Sequence, residues 1–242
     1  MVVLYTTNLK FDTNKLAECI PINETVIKVE KKGVIRKGES SRDKIKHRTK
    51  KEKKPINNTG FGHNSITIVM LNDGNGELKE KEITVKIFQN GVFHLTGVLD
   101  ERYDKSSMGT LIEIIHTNCQ ESYKEPLETA EILNRRVVLM NYTTKLTTRD
   151  TVAREALHNT IRNSKIENVL SYYDPDVYPA VKIHVGNSKW TAKVFRTGKI
   201  ILTGIICEHD CQEFMRQLLV LFDEVLPQKQ IQGNMSNKAA LQ

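Results

Sequence analysis

The chain has 242 residues, is 39% hydrophobic and carries a formal net charge of +7. This length suits one large domain or two small ones, and the hydrophobic content is sufficient for a packed core. No apolar run reaches the roughly 18 residues of a membrane span, and the first residues lack the pattern of a secretory leader. Four cysteines in so long a chain form no disulfide framework, which is typical of a reducing compartment. We therefore expect an intracellular protein with no membrane partner.

The predicted elements begin with a strand at residues 2–9. A short helix follows, which Asp12 can cap and which ends before Pro21. Residues 137–146 repeat the first strand with two residues inserted, a pattern typical of a β-bulge. Helix-forming residues return at 150–157. The same strand and helix signals thus occur in both halves of the chain.

Basic side chains concentrate between residues 31 and 54, where there are twelve Lys or Arg and three acids. The rest of the chain therefore carries about −2. Such density favours an electrostatic arm for a polyanion; the alternative is a solvated charged loop. The residues assigned to this basic arm are Arg42, Lys44, Lys46, Arg48, Lys50, Lys51, Lys53 and Lys54.

Two segments at a constant offset of 107 repeat each other, Ile83–Gly97 and Trp190–Gly204. Seven of their fifteen positions are identical. In each copy alternating residues flank a short turn, whose glycine, Gly91 or Gly198, can take a positive φ. The pattern predicts a β-hairpin in each half of an internal repeat.

Apolar residues at helical spacing follow each hairpin, which predicts that a long amphipathic helix closes each copy. The opening strands are offset by 135 to 137, so the first copy holds about 30 extra residues. We predict an α+β fold of two tandem repeats, each an antiparallel sheet with helices on one face. The repeats are expected at residues 1–121 and 130–226, with a basic insertion at about 22–57. The polar tail 227–242 is predicted to be disordered.

The segments Tyr173–Pro179 and Val194–Gly204 resemble the second repeat of the TATA-box-binding protein family. Tyr178 and Phe195 are seventeen residues apart, as are the two intercalating phenylalanines of that repeat. The resemblance covers both repeats, is more specific in the second, and is greatest to the divergent versions carried by large DNA viruses. It implies a saddle, a curved antiparallel sheet whose concave face lies on a widened minor groove and whose convex face carries the helices. In that family apolar wedges unstack base steps and bend the duplex.

The resemblance also implies which side chains face DNA. Period-2 alternation supports it, because one face of each predicted hairpin is apolar and the other mixes Phe, Thr and Lys. Phe61 is the nearest aromatic that could pair with Phe88, although the alignment could place Asn64 there. The alternative is that Phe88 and Phe195 are ordinary core aromatics. The residues expected to face DNA are Phe88, Phe195, Tyr178, Phe61, Lys86, Lys193, Lys199, Thr96, Thr203, Thr197, Ile201, His94 and Arg136.

Four positions depart from the family pattern. Tyr178 replaces a phenylalanine wedge, and its hydroxyl is costly to bury without a partner. Lys86 and Lys193 stand where the family has leucine, and Arg136 stands where it has an asparagine. These changes favour phosphate contact over an A·T-selective apolar floor, which weakens the case for a strict TATA preference.

Two functions follow as hypotheses. The first is a general transcription initiation factor that binds and bends promoter DNA through the minor groove. Its partners would be a transcription factor IIB-like factor and the RNA polymerase machinery, in the nucleus, a cytoplasmic viral factory or the virion. The second is a saddle-shaped interaction module that no longer binds DNA specifically.

No pattern in the sequence indicates catalysis, a metal or a cofactor. Cys207, His209 and Cys211 form a tight triplet without a fourth ligand, so helix capping and core thiols are the simpler interpretation. His116 and Cys119 lack the third group that orients a nucleophile pair. We therefore expect a protein that is not an enzyme.

Overall fold

The computed structural model describes residues 1–44, 64–125, 129–146, 151–164, 166–186 and 189–226, with the backbone alone at residues 42 and 44. The chain divides into two compact units, unit 1 at Met1–Val138 and unit 2 at Leu139–Gln242. Each unit is an antiparallel sheet with α-helices packed on one face. The α+β fold of two similar halves is as predicted. No α-helix of the described residues is long and apolar enough to cross a membrane.

Unit 1 holds six whole strands in the order β3-β2-β4-β5-β6-β1. Asp12 caps α1 as predicted, because its carboxylate accepts from the backbone N–H of Asn14 at 2.9 Å. The elements are β1 (Val2–Thr7), α1 (Thr13–Cys19), β2 (Val26–Lys31), β3 (Ile35–Gly38), β4 (Ser65–Asn72), β5 (Lys81–Phe88), β6 (Val92–Thr96) and α2 (Glu101–Asn118), with 3-10 turns at Ser41–Lys44 and Gln120–Ser122.

The hairpin of β5 and β6 turns at Gly91, whose φ is +74°. A side chain cannot be added there, because a Cβ atom would lie 2.1 Å from the carbonyl oxygen of Leu9. The predicted role of this glycine therefore has two causes, the positive φ and the close approach of the chain after β1.

A long strand, β7 (Ile132–Lys145), runs through the boundary between the units. Unit 1 extends beyond residue 121, the expected end of the first repeat. The reason is that Arg135 donates a hydrogen bond to Asp104 of α2, and Val137 packs against the unit 1 core. The contacts of β7 therefore move the boundary of the compact unit to Val138.

Unit 2 places its strands in the order β7-β11-β10-β9-β8. The register of β7 and β11 shifts between Leu202 and Ile205, which pair with Tyr142 and Met140. An irregularity was predicted here, but the extra residue is on β11 and not on β7. The remaining elements are α3 (Arg154–Ser164), β8 (Val169–Tyr172), β9 (Val181–Val185), β10 (Thr191–Val194), β11 (Lys199–Ile205) and α4 (Glu208–Val225).

The strand orders of the two units correspond, and the correspondence locates the extra segment of unit 1. The order β2-β4-β5-β6 in unit 1 matches β8-β9-β10-β11 in unit 2. β2 lies inside residues 22–57, where we expected the insertion, although it is the counterpart of β8. The segment that unit 2 lacks therefore begins after Lys31 and includes β3. The tail 227–242, predicted to be disordered, lies outside the described residues.

Candidate nucleic-acid interface

The open face of unit 2 is the sheet face opposite its helices. Strand pairing sets Lys193 beside Ile201 and Thr191 beside Thr203 on this face. Their neighbours in sequence, such as Val194 and Leu202, are buried on the helix side. The alternation predicted from period 2 is therefore present, and it leaves a mixed surface of Lys, Thr and Ile. Lys199 is exposed at the start of β11, and Thr197 is exposed in the turn before it.

Two aromatic rings meet in unit 2. The centroids of Tyr178 and Phe195 are 6.1 Å apart, with ring planes at 61°. The Lys182 ammonium lies 5.3 Å from the centroid of the Tyr178 ring. Both aromatic residues are half-buried. This aromatic pair thus combines apolar area with a nearby positive charge.

Local turns hold both rings in place. The carboxylate of Asp174 accepts from the N–H of Asp176 at 3.1 Å, and its carbonyl accepts from the N–H of Tyr178 at 2.9 Å. On the other side, Gly198 N–H donates to the Phe195 carbonyl at 2.9 Å. The φ of Gly198 is +78°, a value that favours glycine. Two short hydrogen-bonded turns therefore fix the aromatic pair.

The contribution of β8 and β9 to the open face of unit 2 was not predicted from the sequence. Strand pairing places Tyr172 beside Lys182 and Leu170 beside His184. The rings of Tyr172 and His184 are 5.9 Å apart, and Leu170 and Tyr172 are 58% and 56% exposed. The alternation at residues 169–172 and 181–185 was the signal that could have found them.

Unit 1 also has an open face, formed in part by the first hairpin. Lys86 lies beside His94, and Thr84 lies beside Thr96. Phe88 is half-buried at the end of β5, beside Ser65 of β4. Burial, with the nearby charge of Lys86, lowers the pKa of His94. The predicted residues Phe88, Lys86, His94 and Thr96 thus share one face of one sheet.

An ion-pair cluster of Lys28, Glu30, Arg36 and Asp43 lies at the outer end of the unit 1 open face. Lys28 Nζ is 2.9 Å from carboxylate oxygens of both Glu30 and Asp43. Arg36 is 3.2 Å from the Asp43 carboxylate. The Ser40 N–H donates to this carboxylate, and with the Lys28 ammonium it lowers the pKa of Asp43 to about 2.

The 3-10 turn Ser41–Lys44 is thereby anchored to the open face. Its first residue, Ser41, donates its N–H to the Glu82 carboxylate at 2.7 Å. Glu82 and Lys86 are separated by an even number of positions on β5, so their side chains lie on the same face of the sheet. The sequence did not indicate this contact. Acidic side chains therefore lie on the face expected to meet DNA.

Other predicted residues have varied outcomes. Arg136 is exposed on β7, alternating with Arg135 and Val137, which face the helices. Phe61 and the arm residues from Lys46 to Lys54 lie outside the described residues, as do the side chains of Arg42 and Lys44.

The cysteines have structural positions. Cys207 is the N-cap of α4, where its Sγ accepts from Asp210 N–H at 3.5 Å. Burial raises the pKa of Cys211 to about 11. Burial and the neighbouring Cys19 thiol raise the pKa of Cys119 to about 12. Within the described residues no group of three or more His, Cys, Asp or Glu could hold a metal.

Comparison with known proteins finds a family similarity within unit 2. Residues 146–225 match the family described as transcription factor TFIID (or TATA-binding protein, TBP). The match covers about a third of the chain, and within it the sequence is similar to this family. The matched range contains the aromatic pair and the open-face strands β8 to β11.

Two archaeal relatives are similar to part of the chain. It is 35% identical over 60 residues to TATA-box-binding protein 2 of Methanosarcina acetivorans. It is 37% identical over 60 residues to TATA-box-binding protein 3 of Methanosarcina mazei. Each match covers 25% of this chain and 31% of the relative. The chain thus matches about a third of the length of these relatives.

The fold extends further than the sequence similarity. The structure of the Methanococcus jannaschii TBP superimposes with a TM-score of 0.50 at 15% identity. The superposition covers 93% of this chain and 95% of that one. The TBP-like fold therefore extends over both units.

Proposed function

We propose that the protein is a TATA-binding-protein-like transcription initiation factor that binds promoter DNA in the minor groove and bends it. The observation that carries this proposal is the aromatic pair of Tyr178 and Phe195 on the open face of unit 2. Apolar side chains inserted between base steps unstack them and kink the duplex. Minor-groove wedging is the behaviour of the TATA-binding family, and the proposal transfers it to these two residues.

Each part of the open faces has a role in this mechanism. Phe195 is the wedge in unit 2, with Tyr178 packed against it, and Phe88 is the wedge in unit 1. The phenol of Tyr178 donates a hydrogen bond to a base or sugar acceptor in the groove. The residues that contact sugars, phosphates and base edges are Lys86, His94, Thr96, Arg136, Lys193, Thr197, Lys199, Ile201 and Thr203.

The basic arm supplies sequence-independent attraction to the phosphates. Replacing the Lys and Arg of residues 42–54 with Gln lowers affinity for all duplexes and reduces the salt slope. The same variants leave the ratio of affinities for A·T-rich and G·C-rich duplexes unchanged, since phosphate contacts carry no sequence information.

The partners and setting are part of the proposal. A transcription factor IIB-like factor and RNA polymerase would assemble on the bound complex. The extra segment after β2 and the short span of sequence similarity support a divergent version of the family, and we propose that it is one carried by a large DNA virus. Such a protein would act in the nucleus, in a cytoplasmic viral factory or in the virion.

A second function, an interaction module without specific DNA binding, has one observation in its favour. The ion-pair cluster pairs the cations Lys28 and Arg36 with Asp43 and Glu30 on the unit 1 open face, which leaves these cations less charge to offer to phosphate. This module would use the same surface for a protein partner.

Duplex bending separates the two functions. The full chain is mixed with short duplexes that carry a fluorescence donor and acceptor at their ends, one A·T-rich and one G·C-rich. The proposal predicts increased energy transfer on binding, and loss of that increase with Phe195→Ala. Replacing the exposed helix residue Leu219 with Ala is the matched control. Absence of any bend with the unmodified chain at low salt would favour the interaction module.

A further inference from the structure

In the part of the chain that the structure describes, the outer edge of unit 2 is a strand that is paired on one side. β8 is the last strand in the order of its sheet and pairs with β9 along its whole length. Within the described residues no strand pairs with its other side. Alternate residues of an edge strand direct N–H and C=O groups away from the sheet, which offers pairing to another chain.

Proteins commonly protect such edges with charged side chains or proline. The sequence of β8 is Val-Leu-Ser-Tyr and contains neither. By contrast, β3, the outermost strand of unit 1, is Ile-Arg-Lys-Gly and carries two cations. Within the described residues, the outer edge of unit 1 is therefore protected by charge and that of unit 2 is not.

The corresponding edge of unit 1 shows what such an edge can accept. β2 is the counterpart of β8, and β3 pairs with it antiparallel over four residues, from Lys28↔Gly38 to Lys31↔Ile35. On the helix side, Lys37 donates to the carbonyls of Glu18 and Ile20 near the end of α1. A short antiparallel strand with a charged residue toward the helix thus completes this edge.

A groove lies beside β8, where unit 1 has β3. Its volume is about 480 Å³, within the range of about 300–1,000 Å³ typical of ligand sites. Its lining consists of β8 with Tyr173 and, from α3, His158, Ile161 and Arg162. Leu170 and Tyr172 contribute large exposed apolar surfaces. The groove therefore offers backbone pairing and apolar contact together.

The positive charge of the groove favours a partner segment with acidic side chains. Arg162 is exposed, and it makes no ion pair in the part of the chain that the structure describes. None of the residues that line the groove is acidic. In unit 1, carbonyls near the end of α1 accept hydrogen bonds from Lys37, a cation on β3. In unit 2 the cation, Arg162, is on the helix α3 itself, so a complementary strand presents an acidic residue toward it.

We infer that the edge of β8 binds an extended segment of a partner protein that adds an antiparallel strand. Alternate side chains of this segment are apolar, to pack on Leu170 and Tyr172, and acidic, to pair with Arg162. Backbone hydrogen bonds supply affinity and the alternate side chains supply specificity. The inference does not depend on DNA binding, and it is tested without DNA.

The test is a selection from a display library of random dodecapeptides on the immobilised full chain. Enriched peptides are expected to alternate apolar and acidic residues. Synthetic copies should bind Arg162→Glu about ten-fold more weakly than the unmodified chain. Lys105→Glu, the same charge change on α2 of unit 1, should bind them equally. On peptide binding, amide hydrogen exchange of residues 169–172 should slow.

Three results would overturn the inference. They are no enrichment, enriched peptides that bind Arg162→Glu as tightly as the unmodified chain, and binding that leaves hydrogen exchange at residues 169–172 unchanged. Thermal unfolding of Arg162→Glu checks that the fold is intact, as expected for an exposed helical position.

Discussion

The two units fill one corresponding position in opposite ways. In unit 1, Asp104 of α2 is fully buried and accepts from Tyr5 Oη at 2.7 Å and from Arg135 Nε at 2.7 Å. At the offset of 107, unit 2 has the buried thiol of Cys211. There the counterpart of Tyr5, Tyr142, donates to Met140 Sδ at 3.2 Å. A charged network in one copy thus corresponds to a weakly polar cluster in the other.

Because of this difference, the two units are expected to be vulnerable at different positions. Bonds from Asp104 raise the pKa of Arg135, and burial with the Asp104 bond raises the pKa of Tyr5. The hydrogen bonds of both Arg135 and Tyr5 depend on this one carboxylate. A buried pair adds little net stability when intact but is costly to break. Unit 1 should therefore be sensitive to a single substitution that has no equivalent in unit 2.

The largest expected effect comes from Asp104→Ala. It leaves Arg135 without its bidentate partner in a site where that side chain is 26% exposed, which should cost about 3 kcal/mol. Cys211→Ala should cost about 1 kcal/mol, a common value for small substitutions. Urea unfolding of both variants measures the two costs. Equal costs would contradict the comparison.

The second effect concerns the aromatic wedges of the two units. Phe195→Ala should lower the affinity for a bent duplex about 10- to 100-fold, because each stacked base contributes about 1–3 kcal/mol. Phe88→Ala should remove the contribution of unit 1 to duplex affinity in the same way, by loss of base stacking. End-labelled duplexes report the bend for each variant. If only one variant reduces bending, DNA binding rests on one unit.

A smaller effect is expected from the ion-pair cluster of unit 1. Asp43→Asn removes a negative charge from the open face, and with it one of the two carboxylate partners of Lys28 and the carboxylate partner of Arg36. DNA affinity should rise about two- to five-fold at low salt, with a steeper salt dependence. Glu113→Gln, an exposed position on α2, is the control for net charge. An equal rise in both variants would show that the position on the open face is irrelevant.

The smallest effect is the pH dependence at His94. Its pKa is lowered below the ordinary 6.5, so the unfolded chain takes up the proton first as pH falls. The contribution of His94 to the free energy of unfolding is fully present above pH 6.5 and is lost as the pH falls below it. His94→Gln should therefore reduce the loss of stability between pH 7.5 and 5.5. Urea midpoints at the two pH values measure it, and identical losses would remove His94 as a cause.

The repeat made much of the fold predictable. The offset of 107 predicts both hairpins and both closing helices, because local turn chemistry and periodicity specify them. β2 was not predicted as a part of the repeat, because it lies within the expected insertion. This six-residue strand beside a run of lysines has no repeat partner at the offset of 107. Sequence spacing could not reveal it, because its counterpart β8 is displaced by the extra segment.

The candidate interface was predictable only in part. Tyr178 and Phe195 were found because their seventeen-residue separation matches a family motif. The contacts of Asp43 with Lys28 and of Asp104 with Arg135 could not be found, since they join residues 15 and 31 positions apart through tertiary pairing. Long-range ion pairs leave no periodic signal in a single sequence.

The single tryptophan of the chain, Trp190, packs against Phe214 in the unit 2 core, with ring centroids 5.5 Å apart. Its emission therefore reports the packing of unit 2 and is insensitive to local unfolding of unit 1. Circular dichroism follows both. A denaturation in which the two signals separate would resolve the stabilities of the two halves without any label.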